Sequence, residues 1–184
     1  TFDSWQNALE TTALTYRRSL WLDAGADVEI WCEKDALAGV ISGVTSEYDV
    51  PLMVSRGFTS ETFAYEAVNA YANSDRPYVI FALYDFDRSG ADAARSLQEK
   101  VERFGNQKGV EAHFNLLGLT LGQIHEWHLP TRPHKRATVA DQRWPHPYAC
   151  ELDAIPPDDL RALVKGAIEQ HLPAGELARL QQIE

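Results

Sequence analysis

The spacing of apolar positions changes several times along the chain, and each change marks a predicted element. Tyr78 to Tyr84 are seven apolar or aromatic residues in succession, which suits a strand covered on both faces, as in a parallel sheet. Val28 to Cys32 predicts an earlier strand with Glu33 at its carboxyl end. Val50 to Ser55, opened by Pro51, predicts a second strand, and Glu111 to Leu117 a fourth. Between these runs the period lengthens to helical spacing. Ala36, Leu37, Val40 and Ile41 form one stripe of a helix from Lys34 to about Val44. Thr59 or Ser60 caps a helix that runs to about Ala72. Ser89 caps another to about Phe104, Gly90 keeps its entry tight, and Gly105 and Gly109 bracket the turn after it. An N-terminal helix over residues 3–23 carries Trp5, Leu9, Tyr16 and Leu20 near helical spacing.

The order is therefore β-α-β-α-β-α-β, with connections long enough for parallel crossovers of the usual right hand. The predicted fold class is α/β: a Rossmann-like, mostly parallel four-stranded sheet flanked by helices. The pattern changes after Leu119. Thr120 to His128 predicts a short helix, and Leu129 to Pro147, with four prolines, an extended loop of the kind that carries function. Tyr148 to Asp153 predicts a short strand. Pro156 or Pro157 opens a helix from Asp158 to about His171, Pro173 breaks it, and Glu176 to Glu184 forms a last helix. The chain divides into an N-terminal helix (1–26), a core (27–119) and a C-terminal extension packed on that core (120–184).

Composition narrows the class. At 184 residues, 45% of them hydrophobic, the chain is one globular domain. No apolar run reaches membrane-spanning length and no segment reads as a signal peptide, so a cytoplasmic protein is expected. Two cysteines, Cys32 and Cys150, lack the spacing of a metal site and read as buried thiols. The formal net charge of −10 argues against a general nucleic-acid coat, which needs a basic face. It does not exclude an enzyme that meets phosphates through a bound cation. Basic residues crowd one segment, Arg132, His134, Lys135, Arg136 and Arg143, a candidate phosphate contact.

The candidate chemistry lies where strands end. Side chains alternate along a strand, so Asp85 and Asp87 share a face, with Cα atoms roughly 6–7 Å apart. Glu33 ends the first strand. Carboxylates at the ends of neighbouring parallel strands converge on the crevice where open α/β sheets bind ligands. A divalent cation, Mg²⁺ or Mn²⁺, is the commonest reason to hold like charges so close. Glu151 and Asp153 follow the last predicted strand at period 2; they complete a second metal position or form a structural salt bridge. His125-Glu126-Trp127-His128 is one residue short of the zinc-helix spacing and reads as surface histidines.

Glu33-Lys34 after a hydrophobic strand, Gly57 after the second strand, and Asp85-Phe86-Asp87-Arg88-Ser89-Gly90 after the third resemble the Toprim domain of topoisomerases, primases and small nucleases. Tyr16-Arg17-Arg18, Ser55-Arg56-Gly57-Phe58 and Glu151-Leu152-Asp153-Ala154 extend the likeness toward the topoisomerase VI A-subunit group. The resemblance implies that Asp85 and Asp87 bind metal, and that Glu33 is a metal ligand or the catalytic acid/base. It implies substrate-binding roles for Lys34, Arg56, Lys135 and Arg143. The implied function is Mg²⁺- or Mn²⁺-dependent cleavage of nucleic acid, DNA before RNA, by a nuclease or nickase, in a homodimer or with an additional domain. The alternatives are a transesterase that needs a separate tyrosine-bearing domain, or a metal-binding docking module. Tyr16 reads as a packed helix residue rather than a nucleophile, so hydrolysis by water is expected.

Overall fold

The computed structural model describes residues 20–55, 60–134, 137–139, 141–176 and 178. Its main sheet has four strands: β1 (Asp27–Cys32), β2 (Leu52–Val54), β3 (Tyr78–Leu83) and β4 (Ala112–Gly118). All neighbours pair in parallel, in the order β2-β1-β3-β4. The helices are α1 (Asp35–Glu47), α2 (Glu61–Ala70), α3 (Arg88–Lys108), α4 (Leu121–Glu126) and α5 (Pro157–Glu169). The fold is thus α/β with a Rossmann-like, all-parallel sheet.

Strand alternation explains the two apolar layers. Val28, Ile30 and Cys32, with Val79, Phe81 and Leu83, pack among Leu37 and Ile41 of α1 and Leu160 and Val164 of α5. Trp31, Tyr78, Ile80 and Ala82 pack on the other face among Ala64 and Val68 of α2 and Leu97 of α3. Every residue of β3 is buried, which is why its sequence is continuously apolar rather than alternating. Each such Leu or Ile contributes about 1.5–3 kcal/mol by leaving water. The second layer also holds a carboxylate, Glu29, 6% exposed. Trp31 Nε1 and Tyr78 Oη each donate to its Oε2 at 2.7 Å, and Tyr71 Oη donates to Oε1 at 2.7 Å.

Several elements differ from the sequence expectation. Asp87, not Ser89, caps α3: its backbone is extended and its Oδ1 accepts from Gly90 N–H at 2.9 Å. A cap serves the amide three residues on, so the helix starts one residue before Ser89. Gly105 lies inside α3 rather than in a turn, and it is a packing glycine: a Cβ there would press within 2.9 Å of the Val110 carbonyl oxygen. Gly109, at φ +71°, is the left-handed residue that ends the helix. The proline-rich segment is not wholly extended. β5 (Arg132–Pro133) pairs antiparallel with β6 (Tyr148–Ala149), and Asp141–Arg143 is a 3-10 turn. The strand expected over 148–153 shortens to β6, followed by a 3-10 turn at Leu152–Ala154.

Residues 1–19 of the expected N-terminal helix, including Tyr16-Arg17-Arg18, lie outside the described residues, and Leu20 to Asp23 form a turn. Arg56, Gly57, Lys135, Arg136 and 179–184 lie outside them too. No helix among the described residues is long and apolar enough to cross a membrane.

Candidate functional site

The register of the two central strands builds the site. Asp27 lies opposite Tyr78 and Cys32 opposite Leu83, so β1 and β3 end level. Glu33 N–H then donates to Leu83 O at 3.1 Å, and Glu33 stands beside the segment that carries Asp85 and Asp87. Its Oε2 is buried, with no hydrogen-bond partner. Burial raises the Glu33 pKa, and the charges of Asp85 and then Asp87 raise it further.

A second segment closes on the same point. Phe86 and Cys150 exchange two backbone hydrogen bonds, N–H to O at 2.9 Å and 3.0 Å, as an isolated antiparallel bridge. That bridge carries residues 151–153 to the end of β3. Leu152 N–H donates to Asp85 Oδ1 at 2.7 Å. Asp85 is half-buried, and burial raises its pKa against the opposing pull of Leu152 N–H and Lys34. Gly90 is a steric requirement here. A Cβ at that position would overlap the Asp85 carbonyl oxygen, which is backbone and cannot retreat.

Lys34 lies at the centre of the cluster. Its Nζ is 3.0 Å from Asp85 Oδ1, 2.9 Å from Glu151 Oε2 and 2.8 Å from Asp153 Oδ1. Oxygens of those three carboxylates all lie within 4.8 Å of one another. Burial works against the Lys34 charge, yet its hydrogen bonds to Asp153, Glu151 and Asp85 raise its pKa overall. Arg132 extends the network. Its Nη2 is 2.7 Å from Glu151 Oε1 and 3.2 Å from Asp87 Oδ2. Lys34 and Arg132 together hold the Glu151 carboxyl down at about 2.

The structure therefore brings Asp85, Glu151 and Asp153 together around Lys34, close enough to share one ion, while Glu33 stands beside Asp85 and Asp87 is tied to Glu151 through Arg132; among the described residues neither Glu33 nor Asp87 joins that group of three. Lys34 pairs with three carboxylates, and Arg132, expected at phosphate, bridges Glu151 and Asp87. Arg143 is exposed on its 3-10 turn and pairs with no carboxylate among the described residues. His125 meets the Tyr148 hydroxyl at 3.1 Å, away from the cluster's donors. Asp141, for which the resemblance implies a substrate or second-metal role alongside Lys135 and Arg143, has its Oδ1 accepting from Arg88 Nε at 2.9 Å and so ties the proline-rich segment to α3. Sequence reasoning missed Lys34 as the centre. The available signal was its place directly after Glu33, at the end of a strand beside the acidic pair.

The donor set fits a hard divalent cation. It is made of carboxylate oxygens, the ligands such ions take. Beside Asp85, Glu151 and Asp153, Glu33 Oε2 is a buried acceptor without a partner, a state native proteins seldom tolerate. The ammonium among Asp85, Glu151 and Asp153 marks the second group as cation-seeking as well. Fold and site together define an α/β protein with an acidic crevice at the carboxyl ends of its parallel strands. No family model matches the chain, and no curated protein matches it.

Proposed function

We propose that this chain is a Toprim-like enzyme that cleaves nucleic-acid phosphodiesters with Mg²⁺ or Mn²⁺. The observation that supports this most is Glu33 Oε2, buried and unpartnered at the level ends of β1 and β3, where the charges of Asp85 and Asp87 act on it. Glu33, Asp85 and Asp87 would hold the cation, with Glu151 and Asp153 available for a second. The bound ion would supply charge neutralisation at the phosphoryl and leaving oxygens. The chain's own residues do the rest. Glu33, whose pKa is raised by burial and by the charges of Asp85 and Asp87, suits moving a proton at the reacting oxygen. Leu152 N–H and the Gly90 turn fix Asp85. Arg132 orients Asp87 and Glu151 from the outer side.

The test is a cleavage assay on supercoiled, nicked and single-stranded substrates in Mg²⁺ or Mn²⁺, with label on the strand. Hydrolysis gives free ends in wild type and loses at least 100-fold in rate in Glu33→Ala, the scale of a lost acid/base group. Label retained on the protein after denaturation would instead assign a transesterase. Absence of cleavage together with a metal-induced rise in melting temperature would assign a metal-binding docking module.

A further inference from the structure

A second cavity borders the same strand end. It has a volume of about 230 Å³ and is walled by Phe86, Gly90, Ala91, Leu116, Leu121 and Trp144, with Asp85 on its rim. Phe86 and Trp144 meet edge to face, centroids 5.1 Å apart. Leu116 and Leu121, 44% and 36% exposed, are two of the five large apolar side chains left open to solvent among the described residues, and both stand in this one cavity. An apolar surface kept exposed and concave is the mark of a ligand site rather than of packing. At this size it falls below the range of about 300–1,000 Å³ typical of drug-sized ligands and suits a single flat ring system.

What it faces decides the occupant. Asp85 lines the cavity, while its carboxylate meets Leu152 N–H and Lys34 Nζ in the acidic crevice. A polar cavity of about 170 Å³ borders the start of α3, where Arg88, Arg132 and His134 stand among Asp87, Ser89 and Asp141. An aromatic slot and a polar slot thus flank one acidic centre, as the base and the backbone of one nucleotide require. Nucleic-acid proteins hold unstacked bases on aromatic rings in this way.

We propose that this cavity accepts one unstacked nucleobase of the strand whose phosphate would lie on the cation that Glu33, Asp85 and Asp87 are proposed to hold. The inference rests on the phosphodiester reading of that crevice. The base stacks on Phe86 and Trp144, with Leu116 and Leu121 closing the mouth, and a single-stranded or locally opened strand is the substrate form that can supply it.

The test uses single-stranded oligonucleotides with 2-aminopurine at successive positions, and matching strands with one abasic residue, in Mg²⁺. The expected result is a fluorescence change at one position only, and about tenfold weaker binding when that position is abasic, the usual loss of one base–aromatic stack. Ala91→Leu, on the exposed side of α3, fills the cavity without entering the core and should abolish both effects. The metal-induced melting shift reports separately on the crevice: Ala91→Leu should keep it and Asp85→Ala lose it. Failure of that shift in wild type would sink the phosphodiester reading. No position-specific signal, or a signal unchanged in Ala91→Leu, overturns the base site whatever the metal does. It would leave the cavity to an apolar side chain of a protein partner.

Discussion

Replacing Lys34 by methionine removes an ammonium that touches three carboxylates and leaves its stem in place. The cost follows from exposure. Asp85 is 14% exposed and Lys34 27%, at 3.0 Å, so this pair is partly shielded from water. At an effective dielectric constant of about 20 the attraction is roughly 5 kcal/mol before desolvation is set against it. Desolvation and the remaining Leu152 hydrogen bond reduce the net loss to about 2 kcal/mol. Glu151 and Asp153 are 42% and 60% exposed, so each adds no more than about 0.5 kcal/mol. The variant should therefore lose about 3 kcal/mol in metal-free buffer, a fall of about 6–12 °C in melting temperature for a chain of this size.

The pH profile gives a second signature. A carboxyl held low in the folded state contributes stability that is present above its unfolded pKa and lost as pH falls toward the folded one. For Glu151 that window runs from 4.5 down to about 2. In Lys34→Met only Arg132 still holds Glu151, so acid unfolding should begin at higher pH. Asp85 loses one of the two contacts that oppose its raised pKa, so its proton is bound over a wider range. Divalent cation should reverse the loss. Mn²⁺ would no longer compete with an internal ammonium, and at about 100 times Kd it returns about 2.7 kcal/mol. Differential scanning fluorimetry across pH and Mn²⁺ concentration reads all three effects. A variant that melts within 2 °C of wild type without metal, and gains no more than wild type from Mn²⁺, would refute the argument that Lys34 holds a cation position.

Two further outcomes follow from the same geometry. Glu29→Ala removes the acceptor of two buried donors and one half-buried one and should destabilise by about 3–5 kcal/mol in urea unfolding, whereas Tyr71→Phe, which removes the half-buried one, should cost about 1 kcal/mol. Gly90→Ala forces Asp85 away from α3. It should cost about 1–3 kcal/mol and weaken Mn²⁺ binding in calorimetry, while Gly122→Ala, whose Cβ would meet only Thr120 Oγ1 at 3.9 Å, should leave that binding unchanged.

The sheet was legible because its signal is local. Burial on both faces makes β3 continuously apolar, and the helical stripes of α1 and α5 repeat within a few turns. The site was legible only where it depends on strand ends. Glu33, Asp85 and Asp87 each follow an apolar run, and parallel neighbours bring such ends together. Lys34 and Arg132 carried no comparable signal. A basic residue reads alike whether it faces phosphate or a carboxylate 117 positions away, as Lys34 does with Glu151. The α3 cap was hidden for a related reason: Asp87 and Ser89 are both good caps by residue type, and the choice shows only in the extended backbone of Asp87 and its hydrogen bond from Gly90 N–H.

The Phe86–Cys150 bridge has a consequence for how the chain is divided. Residues 27–119 contain the whole parallel sheet and all three strand-end carboxylates, so by pattern they form the core on their own. Yet Asp85 receives its backbone hydrogen bond from Leu152, and Lys34 receives two of its three carboxylates from Glu151 and Asp153. The outer apolar layer is likewise shared, since Leu160, Val164 and Ile168 pack with Leu37 and Ile41. The extension is thus part of the site's electrostatics as well as its packing. Without it, Asp85 alone would pair with Lys34, in a sheet with one layer only partly covered by α1. The acidic crevice belongs to the fold of both segments together, and its charge balance is set by a lysine that the N-terminal segment lends to the C-terminal one.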